Sequence, residues 1–301
     1  MRRALIVPLA LAALAVSGCS DAIPSPDAAP TPVPAPVTTS ASTEQPPASA
    51  VLPYVPIDTS VVTVTDYERI ALQLGVTLTS SLPPAERADF WRRATTETAT
   101  LSPGVLRADE ATLLGDYGFG AEDVSWEAHF FAADGTESGY ALGFRSGASM
   151  AGVAKAVDAG VGALAGGQLV GGDVVVVGDL PDVEESWAGD PALAALVGPS
   201  GNSVYLQRGC IPPAPGTPRL EELDAYSVTF EGGLATARLG TGRDDLFERA
   251  GLGQDMTAFT EAFADGVADP TTGRIGYQLT DPVAGAQLAL RQQLPFASCK
   301  P

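Results

Sequence analysis

The sequence predicts an α+β fold, with a helical lead-in followed by antiparallel or mixed sheet made of hairpins that carry packed helices. Three observations predict it. Residues 124–131 alternate, Val124, Trp126, Ala128 and Phe130 on one side against Ser125, Glu127, His129 and Phe131 on the other, which is the period of a strand. Asp134-Gly135 and Gly232-Gly233 stand between such runs as hairpin turn signals. Asp190-Pro191 and Asp281-Pro282 each open an Ala/Leu-rich helix, with Asp at the N-cap and Pro at the first helical position.

Taken in order, residues 51–120 read as mainly helical. Thr65-Asp66 precedes Tyr67, Ile70, Ala71 and Leu74, a short capped helix that ends at Gly75. Pro83-Pro84 opens a second helix, in which Ala88, Trp91 and Ala94 share a stripe beside a basic cluster of Arg87, Arg92 and Arg93. Asp109 is placed to cap a third helix through Tyr117. Strands follow at 124–131 and 140–144, then a helix over 149–161 and an aliphatic strand at 174–177. The first Asp-Pro helix leads to a strand at 204–206 and to Cys210.

Residues 226–230 and 234–239 then form a second hairpin, 274–279 a strand, and the second Asp-Pro helix leads through a strand at Phe296-Ala297 to Cys299. The order of hairpin, helix, strand, Asp-Pro helix, strand and Cys therefore occurs twice, over 121–210 and 226–301. The Pro-rich stretch 211–225 joins the two. Two related modules would give this order; so would coincidence, since hairpins and Asp-Pro caps are common.

The N-terminus has a different character. Arg2 and Arg3 precede an apolar stretch from Ala4 to Val16, too short to span a bilayer and of the right length for a signal-peptide core. Val16, Ser17, Gly18 and Cys19 resemble, position by position, the lipobox of bacterial lipoproteins, with Val where Leu is commonest. The resemblance implies removal of residues 1–18 and diacylglycerol on the Cys19 sulfur. Acylation of the new N-terminus, a palmitate in many such proteins, would follow. The resulting location is extracytoplasmic, anchored to the cell membrane by lipid. Few Lys against fifteen Arg, together with a Pro/Ala/Thr spacer, resembles secreted actinobacterial lipoproteins. Residues 19–50 hold eight Pro and no aromatic residue, and read as a disordered tether that lifts the folded region, 51–301, away from the membrane.

With Cys19 consumed, Cys210 and Cys299 remain, and an oxidising compartment predicts a disulfide between them. The alternative is two separate buried thiols.

Charge and motif content narrow the function classes. A net charge of −19 over 301 residues excludes binding of nucleic acid by phosphate neutralisation and leaves a solvated surface or a cationic partner. The single His excludes a zinc site built from several imidazoles. No cofactor motif is present: the G-x-G-x-x-A spacing at 160–165 follows a helix, where a dinucleotide site requires a strand. No spacing for a Ser nucleophile, a metalloprotease helix or a phosphate loop occurs, so nothing local marks an enzyme.

Glu127 and His129 project from one strand face, close enough for a carboxylate–imidazole pair or for an ordinary cross-strand contact. Trp187, beside Glu184, Glu185 and Asp190, is the Trp expected to be partly exposed and so able to touch a ligand, whereas Trp91 and Trp126 are expected in the core. The function expected is a membrane-anchored binding, sensing or envelope-assembly module with an envelope protein or cationic partner. The alternatives are an envelope-polymer hydrolase using carboxylates, or a solute-binding lipoprotein.

Overall fold

The computed structural model describes residues 45–301. The predicted signal peptide, Cys19 and the tether up to residue 44 lie outside the described residues. No helix among the described residues is long and apolar enough to cross a membrane.

The chain is α+β. Ten strands form one sheet: β1 (Val61–Asp66), β2 (Val124–Phe131), β3 (Glu137–Phe144), β4 (Gly167–Val170), β5 (Val174–Val177), β6 (Ser203–Arg208), β7 (Ala225–Glu231), β8 (Leu234–Arg238), β9 (Phe263–Asp269) and β10 (Arg274–Leu279). The order across the sheet is β4-β5-β3-β2-β1-β6-β7-β8-β10-β9, and every neighbouring pair is antiparallel. From the centre outward, the first five strands run 1-2-3-5-4 and the next five run 6-7-8-10-9, which is the same order. β1 and β6 meet at the middle, with Val61 opposite Gln207 and Val64 opposite Val204. The repeat in the sheet is therefore offset by one strand from the one read in sequence. β6, placed by sequence order at the end of the first module, holds in the second half the position that β1 holds in the first.

Residues 51–120 are mainly helical as expected, except for β1, which that reading did not contain. All six of its residues are buried, because both faces of the central strand are covered. A strand buried on both sides shows no alternation, and the β-branched run Val61, Val62, Thr63, Val64, Thr65 was its only signal.

The tether boundary also moves. Helix α1 (Pro47–Ala50) precedes residue 51, and Ala48, 3% exposed, joins Val51, Leu52 and Val55 in a core cluster. At the other end, Phe296-Ala297 is a turn of 3-10 helix and no strand; the β contact there is a single parallel bridge from Ile211 to Ser298.

The remaining helices are α2 (Tyr67–Leu74), α3 (Pro84–Glu97), α4 (Glu110–Thr112), α5 (Met150–Asp158), α6 (Pro191–Leu196), α7 (Leu246–Gly251), α8 (Thr257–Ala262) and α9 (Pro282–Leu290). Asp66 caps α2 by accepting from Arg69 N at 3.0 Å, and Asp190 and Asp281 cap α6 and α9 as their Asp-Pro pairs predict. Asp109 makes no cap; its carboxylate instead accepts from Ala163 N at 3.1 Å, tying two loops together.

The sheet has two unequal faces. On the first face, Tyr67, Phe90, Trp91, Leu142 and Val175 form a core under α2, α3 and α5, while Tyr226, Phe230, Phe263, Tyr277 and Phe296 form another under α7, α8 and α9. On the second face, Val62, Val64, Phe130, Val204 and Leu206 pack against Val51, Leu52, Trp187, Leu193 and Leu196. Each large apolar side chain fully buried this way contributes roughly 1.5–3 kcal/mol. That second cover reaches only the Arg238 end of β8 and leaves the rest of β8, with β10 and β9, bare. There Leu234 and Val267 remain 61% and 68% exposed on a bare part of the sheet.

Candidate functional site

Where β1, β2 and β3 run side by side, the first face turns polar between its two cores. Thr65 of β1 stands opposite Glu127 of β2, and Thr63 opposite His129. His129 in turn stands opposite Tyr140 of β3. The strand period therefore puts Glu127 and His129 on one face, as expected, with His129 Nε2 2.7 Å from Glu127 Oε1.

Two further residues complete the cluster. Ser102, on the loop after α3, hydrogen-bonds Glu127 through Oγ, and the same oxygen lies 3.1 Å from His129 Nε2. Glu137, at the start of β3, bonds His129 Nδ1. The loop is held from both sides, since Ser102 N donates to Thr65 Oγ1 at 3.1 Å and Tyr67 OH donates to the Ser102 carbonyl at 3.2 Å. Val105 N donates to Glu127 Oε2 at 2.9 Å. Ser102 lies 25 residues from Glu127, which is why reading the strand alone missed it. Glu137 was legible in principle, because the 124–144 hairpin brings it opposite Phe131.

A hydroxyl, an imidazole and a carboxylate in a row have the composition of a nucleophile, base and orienting group. The protonation state argues against that use. Burial works against a charged imidazole here, but the hydrogen bonds to Glu127 and Glu137 outweigh it and raise the His129 pKa to about 9. At neutral pH the ring is an imidazolium donating from both nitrogens and cannot accept the Ser102 proton. The Ser102 side chain is itself buried and committed to Glu127. The cluster is a charged network, buried at Glu127 and Ser102 and open to solvent at Glu137, that fastens the 98–105 loop across β2.

Trp187 belongs to the second face and not to a ligand site. It is 0% exposed, with its ring covered by the Arg208 guanidinium at 5.6 Å. The acidic neighbours in sequence misled here: the 3-10 turns at 183–189 point Glu184 and Glu185 outward and the indole inward. Trp91 and Trp126 are buried, as expected.

Cys210 and Cys299 form the predicted disulfide, with Cα atoms 5.0 Å apart across 89 positions of sequence. Beside it, Arg249 donates to the carbonyls of Phe296 and Ser298, each at 2.9 Å, and to that of Glu221 at 2.8 Å. Among the described residues no group of His, Cys, Asp and Glu is arranged to hold a metal ion.

One open feature among the described residues is the bare part of the second face. Leu234, Thr236, Gly276, Gln278 and Val267 line a shallow groove of about 600 Å³ there. β9 borders it as the last strand of the sheet, with one side unpaired.

No family model matches the chain, and no curated protein matches it. Among solved structures it is similar to crystal form III of TP0453, at 9% identity over 80% of this chain and 97% of that one, with a TM-score of 0.32. A likeness of that size informs neither fold nor function.

Proposed function

We propose that the chain is an extracytoplasmic lipoprotein, anchored through Cys19, whose folded part is a binding module with the bare sheet face as its ligand surface. One observation carries the reading. The second face is roofed over the first half of the sheet and left open over β8, β10 and β9, where two large aliphatic side chains stand in solvent. Apolar surface rimmed by polar groups is the character of interaction sites, and here Thr236, Gln278 and Asp265 border Leu234 and Val267. The half-buried, doubly paired imidazolium supports no acid–base role for the cluster of catalytic composition found among the described residues. The hydrolase reading therefore draws no support from His129.

The anchor is tested by metabolic labelling with a radioactive fatty acid in cells expressing the full chain or its Cys19→Ser variant. Label on the former alone supports the anchor; label on neither removes it. The surface is tested in the same intact cells with a photo-crosslinking amino acid at position 234 and, separately, at the exposed Leu72 of α2 as control. An adduct specific to position 234 supports the reading. Equal adducts at both positions, or none at either without a small-molecule ligand bound there, would overturn it.

A further inference from the structure

One basic residue in this acidic molecule is out of keeping with its surroundings. Setting aside Arg2, Arg3, Asp21, Asp27 and Glu44, the chain from residue 45 onward has 33 acidic and 15 basic residues. Nevertheless Arg238, 6% exposed on β8, forms no ion pair among the described residues. Its one hydrogen bond there runs from Nη1 to Thr229 Oγ1 at 2.9 Å, and its Nε is buried without a partner. A buried guanidinium left without an anion is costly, and proteins ordinarily pair it.

The neighbouring strand adds to the imbalance. Arg274 of β10 stands directly opposite Arg238 in register, on the same bare face, and it too forms no ion pair among the described residues. Like charges opposite each other across two strands are destabilising. Burial first, and then the positive charge of Arg274, holds the Arg238 pKa below its ordinary value. The acid closest in register is Asp269 of β9, across from Arg274, and its carboxylate accepts from Thr271 N at 3.0 Å and from Thr272 Oγ1 at 2.6 Å. The site is shaped as well as charged. The loop at Gly198 covers the Arg238 guanidinium so closely that a Cβ there would overlap Cζ, which leaves the group reachable only from its edge.

We propose that Arg238 and Arg274 form an oxyanion site at one end of the bare sheet face, taking the phosphate or carboxylate group of a ligand whose apolar part lies along Leu234 and Val267. The exposed Arg274 offers its guanidinium fork, and Arg238 adds charge and its remaining Nη2, to a group with two or more oxygens, the kind of group that arginine binds well. Thr236 and Gly276 occupy the next row of the same face, and Leu234 and Gln278 the row beyond. The charged end therefore runs straight into the apolar groove. The site names the ligand chemistry of the surface described above and rests on that reading.

The test is calorimetric titration of the full chain with inorganic phosphate, acetate and octyl phosphate, at ionic strength held constant with potassium chloride. Saturable binding of one equivalent of at least one of these anions is expected, weakened at least tenfold by Arg274→Gln. Arg274 is exposed, so this variant keeps the fold, and circular dichroism verifies that it does. Arg238→Lys retains the charge, removes the fork, and should also weaken binding. Tighter binding of octyl phosphate than of phosphate assigns an amphiphile lodged on Leu234 and Val267; equal binding assigns the free anion. No saturable heat from any of the three, or an Arg274→Gln variant that titrates as the parent does, would overturn the proposal. A partner crosslinked at position 234 without anion binding would remove the oxyanion site and leave the binding module standing. Anion binding with no such partner would support both, with a small anionic molecule and no protein as the ligand of the surface.

Discussion

Arg249 donates through Nε to Asp245 Oδ2 at 2.6 Å, one turn apart on the same short helix, and neither side chain reaches solvent. Burial depresses the Arg249 pKa and Asp245 opposes that effect. The remaining donors of Arg249 hold the backbone at Glu221, Phe296 and Ser298, so one guanidinium joins α7 to both strands of chain that meet at the disulfide. Replacing it leaves three carbonyls and part of a buried carboxylate without their donors. Arg249→Leu should lower the unfolding free energy by about 3–5 kcal/mol. Urea unfolding at pH 7 measures it, and a loss under about 1 kcal/mol would show that the hub is dispensable.

The disulfide closes a loop of 89 positions. In the chain-entropy model its removal costs about 4.5 kcal/mol. The backbone bonds of Ile211 N to the Ala297 carbonyl and Cys299 N to the Ile211 carbonyl survive in a Cys210→Ser, Cys299→Ser double variant and keep the native geometry. The expected outcome is therefore a cooperative transition at much lower denaturant. Identical midpoints with and without reductant would contradict it.

His129 makes stability depend on pH. Its folded pKa, about 9, lies above the ordinary 6.5, so the folded state binds the proton more tightly than the unfolded one. The stabilisation is complete below pH 6.5 and is lost as the pH rises through 9, amounting to no more than about 3 kcal/mol. The groups that face the ring are Glu127, Glu137, Ser102 and Tyr140, and burial lifts the Tyr140 pKa to about 12, so that phenol does not titrate in the window. Stability should fall between pH 6.5 and 9, and His129→Gln should flatten that limb. Asp66 acts at lower pH: burial raises its pKa to about 6, so its ionisation costs stability between about pH 4 and 6. Unfolding midpoints of both proteins across pH 4 to 9.5 separate the two groups.

Trp187 fills the second-face core, with its indole N–H buried and unpaired among the described residues. Trp187→Ala should cost about 3–5 kcal/mol through the cavity it leaves. Trp187→Phe should cost clearly less, because the phenyl ring keeps much of the volume and removes the unpaired donor. Thermal unfolding ranks the two, and equal losses would show that volume alone does not govern the site.

Elements with a period or a cap were legible in the sequence. The β2–β3 and β7–β8 hairpins, α5, β5 and the two Asp-Pro helices follow from alternation, glycine turns and N-cap chemistry acting over a few residues. β1 was not legible, because a strand covered on both sides has no polar face to mark its period. β4 and β9 were missed for the opposite reason. They are edge strands with little burial, and β9 carries Gly266 and a positive φ at Asp265, where local signals read as loop. The site divides in the same way. The Glu127–His129 pair is a property of one strand, whereas Ser102 joins it only through tertiary packing. The solitary state of Arg238 is visible only once every carboxylate that could have met it has been placed elsewhere.

The disulfide has a consequence for proteolysis. The run 212–216 is exposed throughout, between Cys210 and the first buried residue beyond it, Leu220. A protease acting there would cut within the second half of the sheet, between β6 and β7, leaving β6 and Cys210 on one fragment and β7 to β10 with Cys299 on the other. The fragments would stay covalently joined through the sulfurs and paired along β6 and β7. A nicked molecule would run as a single species until reduced, and its bare face, built wholly from the C-terminal fragment, would pass through the cut intact.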